Sequence, residues 1–262
     1  DYVLSVMLYY LKDIEILEPL VFKGGTSIKK IYYPETRFSE DLDFNYYDID
    51  REDIYQQIKD NLDHDIFDSN VKFTRTKDLN YSDTDLTFRI GYIGPLQHEN
   101  SIKLDFSGRE KLLEPKNESE ILHDYTDLKN RDRIKIPSMS IKGILAEKCR
   151  TLMMRAESKD LFDIWFLTKQ GVNFDLDLVK RKHEGYKEEW DKEEYLNQLK
   201  TLKNTWKRDL DPLNPQPHGG EVDLAAFSVQ LPQLEKIKKE LNGVLNFRKN
   251  LKLISQNHLH PI

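Results

Sequence analysis

Two aspartates separated by one residue, Asp41 and Asp43, are the clearest candidates for chemistry. On a β-strand both carboxylates point to one face, while Leu42 and Phe44 point to the other and anchor the strand in a core. Two like charges this close raise a pKa unless a divalent cation with oxygen ligands stabilises them. The pattern predicts a metal site. The alternative is a solvated Asp-Leu-Asp on an exposed strand, although aspartate is uncommon in strands.

A second segment, Ser101-Ile-Lys-Leu-Asp-Phe106, repeats this alternation and places Asp105 on the same face as Lys103. If the two strands are neighbours, Asp105 joins Asp41 and Asp43 in a cluster of three carboxylates. Such a cluster can hold two Mg²⁺ ions about 4 Å apart, one beside an attacking hydroxyl and one on a triphosphate. We therefore expect two magnesium ions and a nucleoside triphosphate (NTP) substrate.

A glycine pair precedes the first aspartates in the segment Phe22-Lys-Gly-Gly-Thr-Ser27. Gly24 and Gly25 permit positive φ and close approach of the backbone to a ligand, and Thr26 and Ser27 can begin a helix. Backbone N–H groups at a helix start, together with Lys23, attract anionic oxygens. The segment is a predicted phosphate-binding loop, whereas the alternative is an ordinary turn.

Charged residues also occur within two apolar helical patterns farther along the chain. Lys148 lies between Ile144 and Leu152 at helical spacing, so it either extends to the rim of the core or contacts a triphosphate. Asp160 and Asp163 follow Ser158, a candidate N-cap, and either serve the helix and an ion pair with Arg150 or Arg155 or take part in the site.

The order of local patterns predicts an α/β fold with a mixed, largely antiparallel sheet and a helical second half. We expect a core over residues 1–137 and a helical part over residues 138–262 that closes over the site. Helices are predicted at 3–11, 27–33, 51–63, 141–153, 160–168, 195–210 and 231–241, and strands at 20–22, 41–47, 71–76, 86–92 and 101–106, the last three as an antiparallel meander.

Composition excludes several classes of protein. Hydrophobic residues make up 38% of the 262 residues and charged residues 33%, as expected of a well-packed globular protein. No apolar run is long enough to span a membrane, and the opening residues do not resemble a signal peptide. One cysteine, Cys149, permits no internal disulfide and fits a reducing cytoplasm, where we expect the protein to act. The net charge of −6 argues against broad adhesion to nucleic acid, although residues 127–150 and 235–252 are locally basic.

Taken together, several motifs in order along the chain resemble the AbiEii/AbiGii-type toxin family, which includes the MenT toxins. The resemblance covers roughly residues 20–170. The motifs are Phe22-Lys-Gly-Gly-Thr-Ser27, Arg37-Phe-Ser-Glu-Asp-Leu-Asp-Phe44, Lys103-Leu-Asp105, Glu147-Lys148 and Lys159-Asp-Leu-Phe-Asp163.

The resemblance implies a polymerase-β-type nucleotidyltransferase core with a helical C-terminal half, and Mg²⁺-dependent use of NTPs. In relatives the glycine-serine motif binds the triphosphate, the aspartate pair binds metal, and a helical lysine and a later aspartate are essential. Here those roles fall on Gly25 and Ser27, on Asp41 and Asp43, and on Lys148 and Asp160. Some relatives modify the 3′ end of tRNA, and a cognate antitoxin is expected.

Three other functions remain open from the sequence. The acceptor could be a protein hydroxyl or a small molecule, since the motifs do not specify it. A noncatalytic nucleotide- or antitoxin-binding module is the second, but it has no reason to keep three mutually repelling carboxylates. The third, a metal-dependent phosphohydrolase, typically has clustered histidines, and the seven here are scattered.

Overall fold

The computed structural model describes residues 1–62, 69–109, 113–129 and 132–202, all within one compact unit, Asp1–Pro215. The predicted helix at 231–241, the end of the helix at 195–210 and the basic stretch at 235–252 lie outside the described residues. Within the described ranges, no helix combines the length and the apolar character that a membrane span requires.

A seven-stranded mixed sheet forms the centre of the fold, in the order β3-β4-β5-β2-β1-β7-β6. Its strands are β1 (Leu20–Lys23), β2 (Asp41–Tyr46), β3 (Lys72–Tyr81), β4 (Asp85–Ile93), β5 (Glu99–Ser107), β6 (Asn117–Glu120) and β7 (Lys135–Ser138). The β3-β4-β5 meander is antiparallel, as predicted, and so are the β1-β2 and β6-β7 pairs. Strand β2 pairs in parallel with β5, and β1 in parallel with β7.

Eight α-helices accompany the sheet within the described residues. They are α1 (Tyr2–Asp13), α2 (Gly24–Ser27), α3 (Arg51–Asp60), α4 (Thr126–Lys129), α5 (Ile141–Arg155), α6 (Ser158–Lys169), α7 (Leu176–Gly185) and α8 (Lys192–Leu202). A π-helical turn, Ile28–Tyr32, continues α2 and ends before Pro34. The sequence patterns predicted neither α4 nor α7, nor the short strands β6 and β7.

Alternation along the strands explains how the sheet divides into two faces. Leu42, Phe44 and Phe88 are fully buried on one face, where α1 and α3 cover them. Tyr10 of α1 makes an edge contact with Phe73, and Tyr55 of α3 makes one with Phe88. The predicted apolar side of β2 is thus confirmed, and its aspartates lie on the opposite face of the sheet.

Two helices of the second half reach that opposite face through their charged side chains. The Ser140 hydroxyl caps α5 by accepting from the Gly143 N–H at 2.9 Å. Helix α5 ends at Arg155, and Ala156, with a φ of 48°, turns the chain directly into α6. Helix α6 begins at Ser158 with Glu157 as its N-cap residue, so the predicted capping role of Ser158 is wrong. The tight α5-α6 connection places the charged residues of both helices side by side.

Candidate active site

The parallel pairing of β2 with β5 brings the predicted carboxylates onto neighbouring strands. Asp43 is the direct partner of Asp105, and Asp41 is the partner of Lys103. On the other side of β2, Lys23 at the end of β1 is paired with Asp43. Since paired residues on adjacent strands point to the same side, all five side chains share one face of the sheet.

Burial and mutual repulsion act on the aspartate pair. Burial, Asp105 and Asp41 raise the pKa of Asp43 to about 6, although Lys148 and Lys23 oppose the shift. Burial also raises the pKa of Asp41, as does the charge of Asp105. In the free protein, ionisation of Asp41 and Asp43 therefore costs free energy, and a bound cation would remove this cost.

Asp105 is held by two neighbours on the same face. The Thr87 hydroxyl donates to Asp105 Oδ1 at 2.6 Å, and the ammonium of Lys103 contacts Oδ2 at 2.6 Å. Both partners come from the antiparallel strands β4 and β5, so the sheet itself fixes the orientation of this carboxylate. The side chain of Asp105 is 28% exposed and can reach a ligand on the open face.

The chemistry of these donors fits a divalent cation, because carboxylate oxygens are the ligands that Mg²⁺ prefers. In the described ranges, however, no three side chains among histidine, cysteine, aspartate and glutamate are already arranged around a common point as metal ligands. Assignment of Asp41, Asp43 and Asp105 as ligands therefore stays a prediction.

The two glycines of the predicted phosphate loop have different roles. Gly24 has a φ of 77°, and a Cβ placed there would lie 2.1 Å from Asp43 Oδ2. Gly25 does not have positive φ, contrary to the expectation for both; a Cβ there would lie 2.7 Å from Arg37 Nη2. Only glycine at these positions leaves room for the Asp43 carboxylate and the Arg37 guanidinium.

The segment that follows is the first turn of a helix rather than an open loop. The Thr26 hydroxyl donates to the Asp41 carbonyl at 2.5 Å, and the Ser27 hydroxyl donates to the Gly24 carbonyl at 2.9 Å. Both side chains are buried. The bond from Thr26 joins α2 to the start of β2, which fixes the glycines relative to the aspartate pair.

Lys148 lies at the centre of an ionic cluster formed by α5, α6 and Arg37, which is buried except for the half-exposed Arg155. Its ammonium lies 2.9 Å from Asp160 Oδ1 and 2.9 Å from Asp163 Oδ2. Arg155 donates to Asp160 at 2.8 and 3.1 Å, and Arg37 donates to Asp163 at 2.8 and 2.7 Å. The pair between Asp160 and Arg155 confirms one predicted ion pair, whereas the partners of Asp163 are Arg37 and Lys148.

The cluster contains three cations and two anions, so it carries a net positive charge beside Asp43. Burial opposes charge on Lys148, but Asp160 and Asp163 outweigh it and raise the pKa of Lys148. Burial likewise opposes charge on Asp160, yet Lys148 and Arg155 lower its pKa. Lys148 and Asp160 therefore both stay ionised at neutral pH.

A cleft of about 290 Å³ opens between this cluster and the sheet. Asp43 and Gly24 form its floor, and Lys23, Lys148 and Arg155 contribute positive charge to its wall. Lys23 is paired with Glu147 at 2.7 Å. The cleft therefore combines carboxylates with several cations, an arrangement suited to a polyanionic ligand accompanied by a metal ion.

The sequence suggested Arg150 only as an ion-pair partner of Asp160 or Asp163, whereas it lines the far wall of this cleft and pairs with Glu188. Arg150 stacks on the Tyr186 ring at 3.5 Å and makes two 3.0 Å bonds to Glu188. The sequence reasoning also gave no role to Arg37, although this residue lies within a motif of the family resemblance. The separation of 126 positions between Arg37 and Asp163 explains the omission, because no local pattern links the two residues.

The sheet order, the paired carboxylates and the glycine-led helix beside them are the features of a nucleotidyltransferase fold. Several solved structures share the fold, among them the following two. MenT4, a nucleotidyltransferase toxin from Mycobacterium tuberculosis H37Rv, is 22% identical with a TM-score of 0.54, over 68% of this chain and 60% of MenT4. JHP933 from Helicobacter pylori is 19% identical with a TM-score of 0.53, over 92% of this chain and 95% of JHP933.

A family profile gives the more specific assignment. The profile for the nucleotidyl transferase AbiEii toxin of type IV toxin–antitoxin systems matches residues 7–237. The chain belongs to this family of nucleotidyltransferase toxins. Among curated proteins, none matches the sequence.

Proposed function

We propose that the protein transfers a nucleotide from an NTP to the 3′ end of tRNA in a Mg²⁺-dependent reaction. The observation that carries this proposal is the common face of Asp41, Asp43 and Asp105, next to a cleft whose wall contains Lys23 and Lys148. Membership of a nucleotidyltransferase family supports the NTP, and the resemblance to tRNA-modifying relatives supports the acceptor.

In this reaction the 3′ oxygen of the acceptor attacks the α-phosphorus, and the bond to the bridging oxygen of pyrophosphate breaks. Mg²⁺ bound by Asp41, Asp43 and Asp105 would lower the pKa of the attacking hydroxyl and neutralise charge on the triphosphate. Lys148 stabilises the pyrophosphate as it leaves, and Lys23 adds positive charge on the same side. Asp160 positions Lys148 through their 2.9 Å contact.

The glycine-led turn binds the triphosphate in this proposal. Gly24 lets the backbone pass close to Asp43, and Gly25 leaves room for Arg37, so the N–H groups of this turn would meet anionic oxygens near the proposed metal ligands. Thr26 and Ser27 act by holding this turn, since their hydroxyls bond to backbone carbonyls. Of the expected helical part, residues 138–262, the described helices α5 and α6 contribute Lys148 and Asp160 to the site.

Transfer to tRNA would block aminoacylation, which accounts for toxicity in the cytoplasm, and a cognate antitoxin is the expected partner. The decisive experiment incubates the protein with total tRNA, Mg²⁺ and each α-labelled NTP. We expect label in tRNA with the wild type and none with Asp41→Ala or with Asp43→Asn. Asp53→Asn, an exposed carboxylate on α3, is the matched control and keeps full activity.

Each other outcome has a defined meaning. Label in protein instead of RNA moves the acceptor to a protein hydroxyl, an alternative consistent with the net charge of −6. The absence of label in any acceptor, for every NTP, contradicts the proposed activity and favours a noncatalytic binding module.

A further inference from the structure

A row of basic side chains extends from the carboxylates toward the edge of the sheet. Asp41 is paired with Lys103, Lys103 with Arg89, and Arg89 with Lys77. Because directly paired residues on adjacent strands share a face, these cations lie on the same face as Asp41. Arg75 lies two residues before Lys77 on β3, hence on the same face, and is paired with Gly91. We call Lys103, Arg89, Lys77 and Arg75 the basic row.

The opposite face of the same strands is apolar, which confirms the orientation of the row. Phe88, Ile90 and Leu104, which alternate with the cations, are buried in the core. The side chains of Lys103 and Arg89 are 33% and 41% exposed, and Lys77 and Arg75 are exposed. The row is therefore accessible from the site side of the sheet, as far as the described residues extend.

Internal pairing neutralises only part of this charge. Arg89 lies 3.7 Å from Asp78, whose side chain is 67% exposed, and solvated ion pairs of this kind contribute little. Lys103 is held by Asp105. Among the described residues, Lys77 and Arg75 form no ion pair. Lysine on an edge strand can also serve to prevent aggregation, but Arg89 and Lys103 lie on interior strands, where that explanation fails.

The carboxylates separate this row from a second group of cations. Lys23 and Lys148 line the cleft on the Asp43 side, whereas the basic row begins beside Asp41. Two separate cationic surfaces meeting at one set of carboxylates suit two separate polyanions. The cleft group fits the triphosphate, which leaves the basic row for a second phosphate-bearing reactant.

We propose that the basic row binds the phosphate backbone of a single-stranded RNA end and directs its 3′ hydroxyl to Asp41 and Asp105. Neighbouring strands lie about 4.8 Å apart, so the distance across the sheet from Lys103 to Lys77 is roughly 10 Å, enough to follow successive phosphates. A positive groove that follows the backbone is the usual way to bind single strands without reading sequence. The inference rests on the proposed transfer to RNA and identifies the surface that receives the acceptor.

The test uses the double variant Arg75→Ala/Lys77→Ala in the full chain, because both side chains are exposed and distant from the carboxylates. The matched control is Lys12→Ala/Lys59→Ala, which removes the same charge from exposed positions on α1 and α3, across the sheet. Binding of total tRNA is measured against salt concentration without NTP, and steady-state kinetics are measured for tRNA and for the NTP.

Loss of two phosphate contacts to a single strand should reduce the slope of log affinity against log salt by about 1.4. We expect a higher KM for tRNA, an unchanged KM for the NTP and an unchanged kcat at saturating tRNA, with recovery in Arg75→Lys/Lys77→Arg. The proposal is overturned if slope and KM match the control, or if the wild type labels protein rather than RNA. A protein that binds tRNA through the row but transfers nothing contradicts the proposed function instead.

Discussion

Asp43 and Asp105 are direct partners across the parallel β2-β5 pair, and the charge of Asp105 adds to burial in raising the pKa of Asp43 to about 6. Repulsion between register partners is a fixed property of the sheet, because neither strand can shift without exposing Leu42 or Leu104. The fold therefore sacrifices stability at this point, as expected where a cation is to be bound.

The first prediction concerns Asp43→Asn. A carboxyl group with a raised folded pKa destabilises the fold as pH rises from about 4 through 6, so removal of its charge should stabilise the free protein at pH 8. The pKa shift corresponds to roughly 1 to 3 kcal/mol. Without metal we expect a higher Tm for Asp43→Asn than for the wild type. With Mg²⁺ and NTP present, we expect no nucleotide transfer by this variant.

Addition of Mg²⁺ should reverse the order of the two Tm values, so that the wild type becomes the more stable protein. Wild-type Tm should rise with Mg²⁺ concentration, because a ligand that binds only the folded state stabilises it, whereas Asp43→Asn should respond little. Asp53→Asn serves as the control for loss of a carboxylate elsewhere. Equal responses of Asp43→Asn and the wild type to Mg²⁺ would contradict the assignment of Asp43 as a metal ligand.

The second prediction concerns Gly24→Ala. This substitution imposes positive φ on alanine and brings its Cβ into the Asp43 carboxylate, 2.1 Å away. Gly171 has a similar φ of 84°, but a Cβ added there would meet nothing within 4 Å, so Gly171→Ala isolates the backbone strain. Both variants should lose about 1 kcal/mol or more of unfolding free energy, as measured by denaturant unfolding.

Only Gly24→Ala should lose activity, because only there does the added methyl group displace Asp43, a proposed metal ligand. We expect at least a hundredfold loss of kcat for Gly24→Ala and a near wild-type value for Gly171→Ala. Full activity in Gly24→Ala would show that the position of Asp43 is not tied to this glycine.

Local patterns were sufficient to predict the half of the site that the sheet carries. Alternation in the segment from Asp41 to Phe44 and again around Asp105 fixed which side chains point away from the core, and the β2-β5 pairing confirms that they are neighbours. Each of these features depends only on residues within a few positions of one another, which is where single-sequence reasoning is effective.

The rest of the site depends on contacts distant in sequence. Strand β7 has four residues, includes Pro137 and pairs with β1, more than a hundred positions earlier, so no periodicity marks it. The bond between Arg37 and Asp163 is equally nonlocal. Sequence alone left two roles open for Lys148, since the approach of its ammonium to both Asp160 and Asp163 depends on the angle between α5 and α6.

The third prediction concerns the pH dependence of Asp160→Asn. Lys148 and Arg155 outweigh burial and depress the pKa of Asp160, so its ionised form stabilises the fold above the unfolded value of about 3.9. That stability is lost as pH falls toward the depressed folded pKa. Unfolding free energies should show a deficit for Asp160→Asn that is constant at neutral pH and narrows only below about pH 4. A deficit independent of pH down to pH 2 would assign the loss to packing instead.

The fourth prediction separates the structural role of Lys148 from its proposed role at the triphosphate. Lys148→Met leaves the cluster with Arg37 and Arg155 against two carboxylates, and loss of one member of a buried ion pair costs about 3 kcal/mol or more when no partner remains. Because each carboxylate keeps a guanidinium, we expect a smaller loss, near 2 kcal/mol.

The double variant Lys148→Met/Asp160→Asn removes both members of the 2.9 Å contact, so its loss of unfolding free energy should be smaller than the sum of the two single losses. The two roles are distinguished by activity. Nucleotide transfer is measured at a temperature where both variants are fully folded. If Lys148 stabilises the leaving pyrophosphate, the double variant stays as inactive as the single one, with kcat reduced by about two orders of magnitude or more. A near wild-type kcat in folded Lys148→Met would show that Lys148 acts only by holding α5 and α6 together.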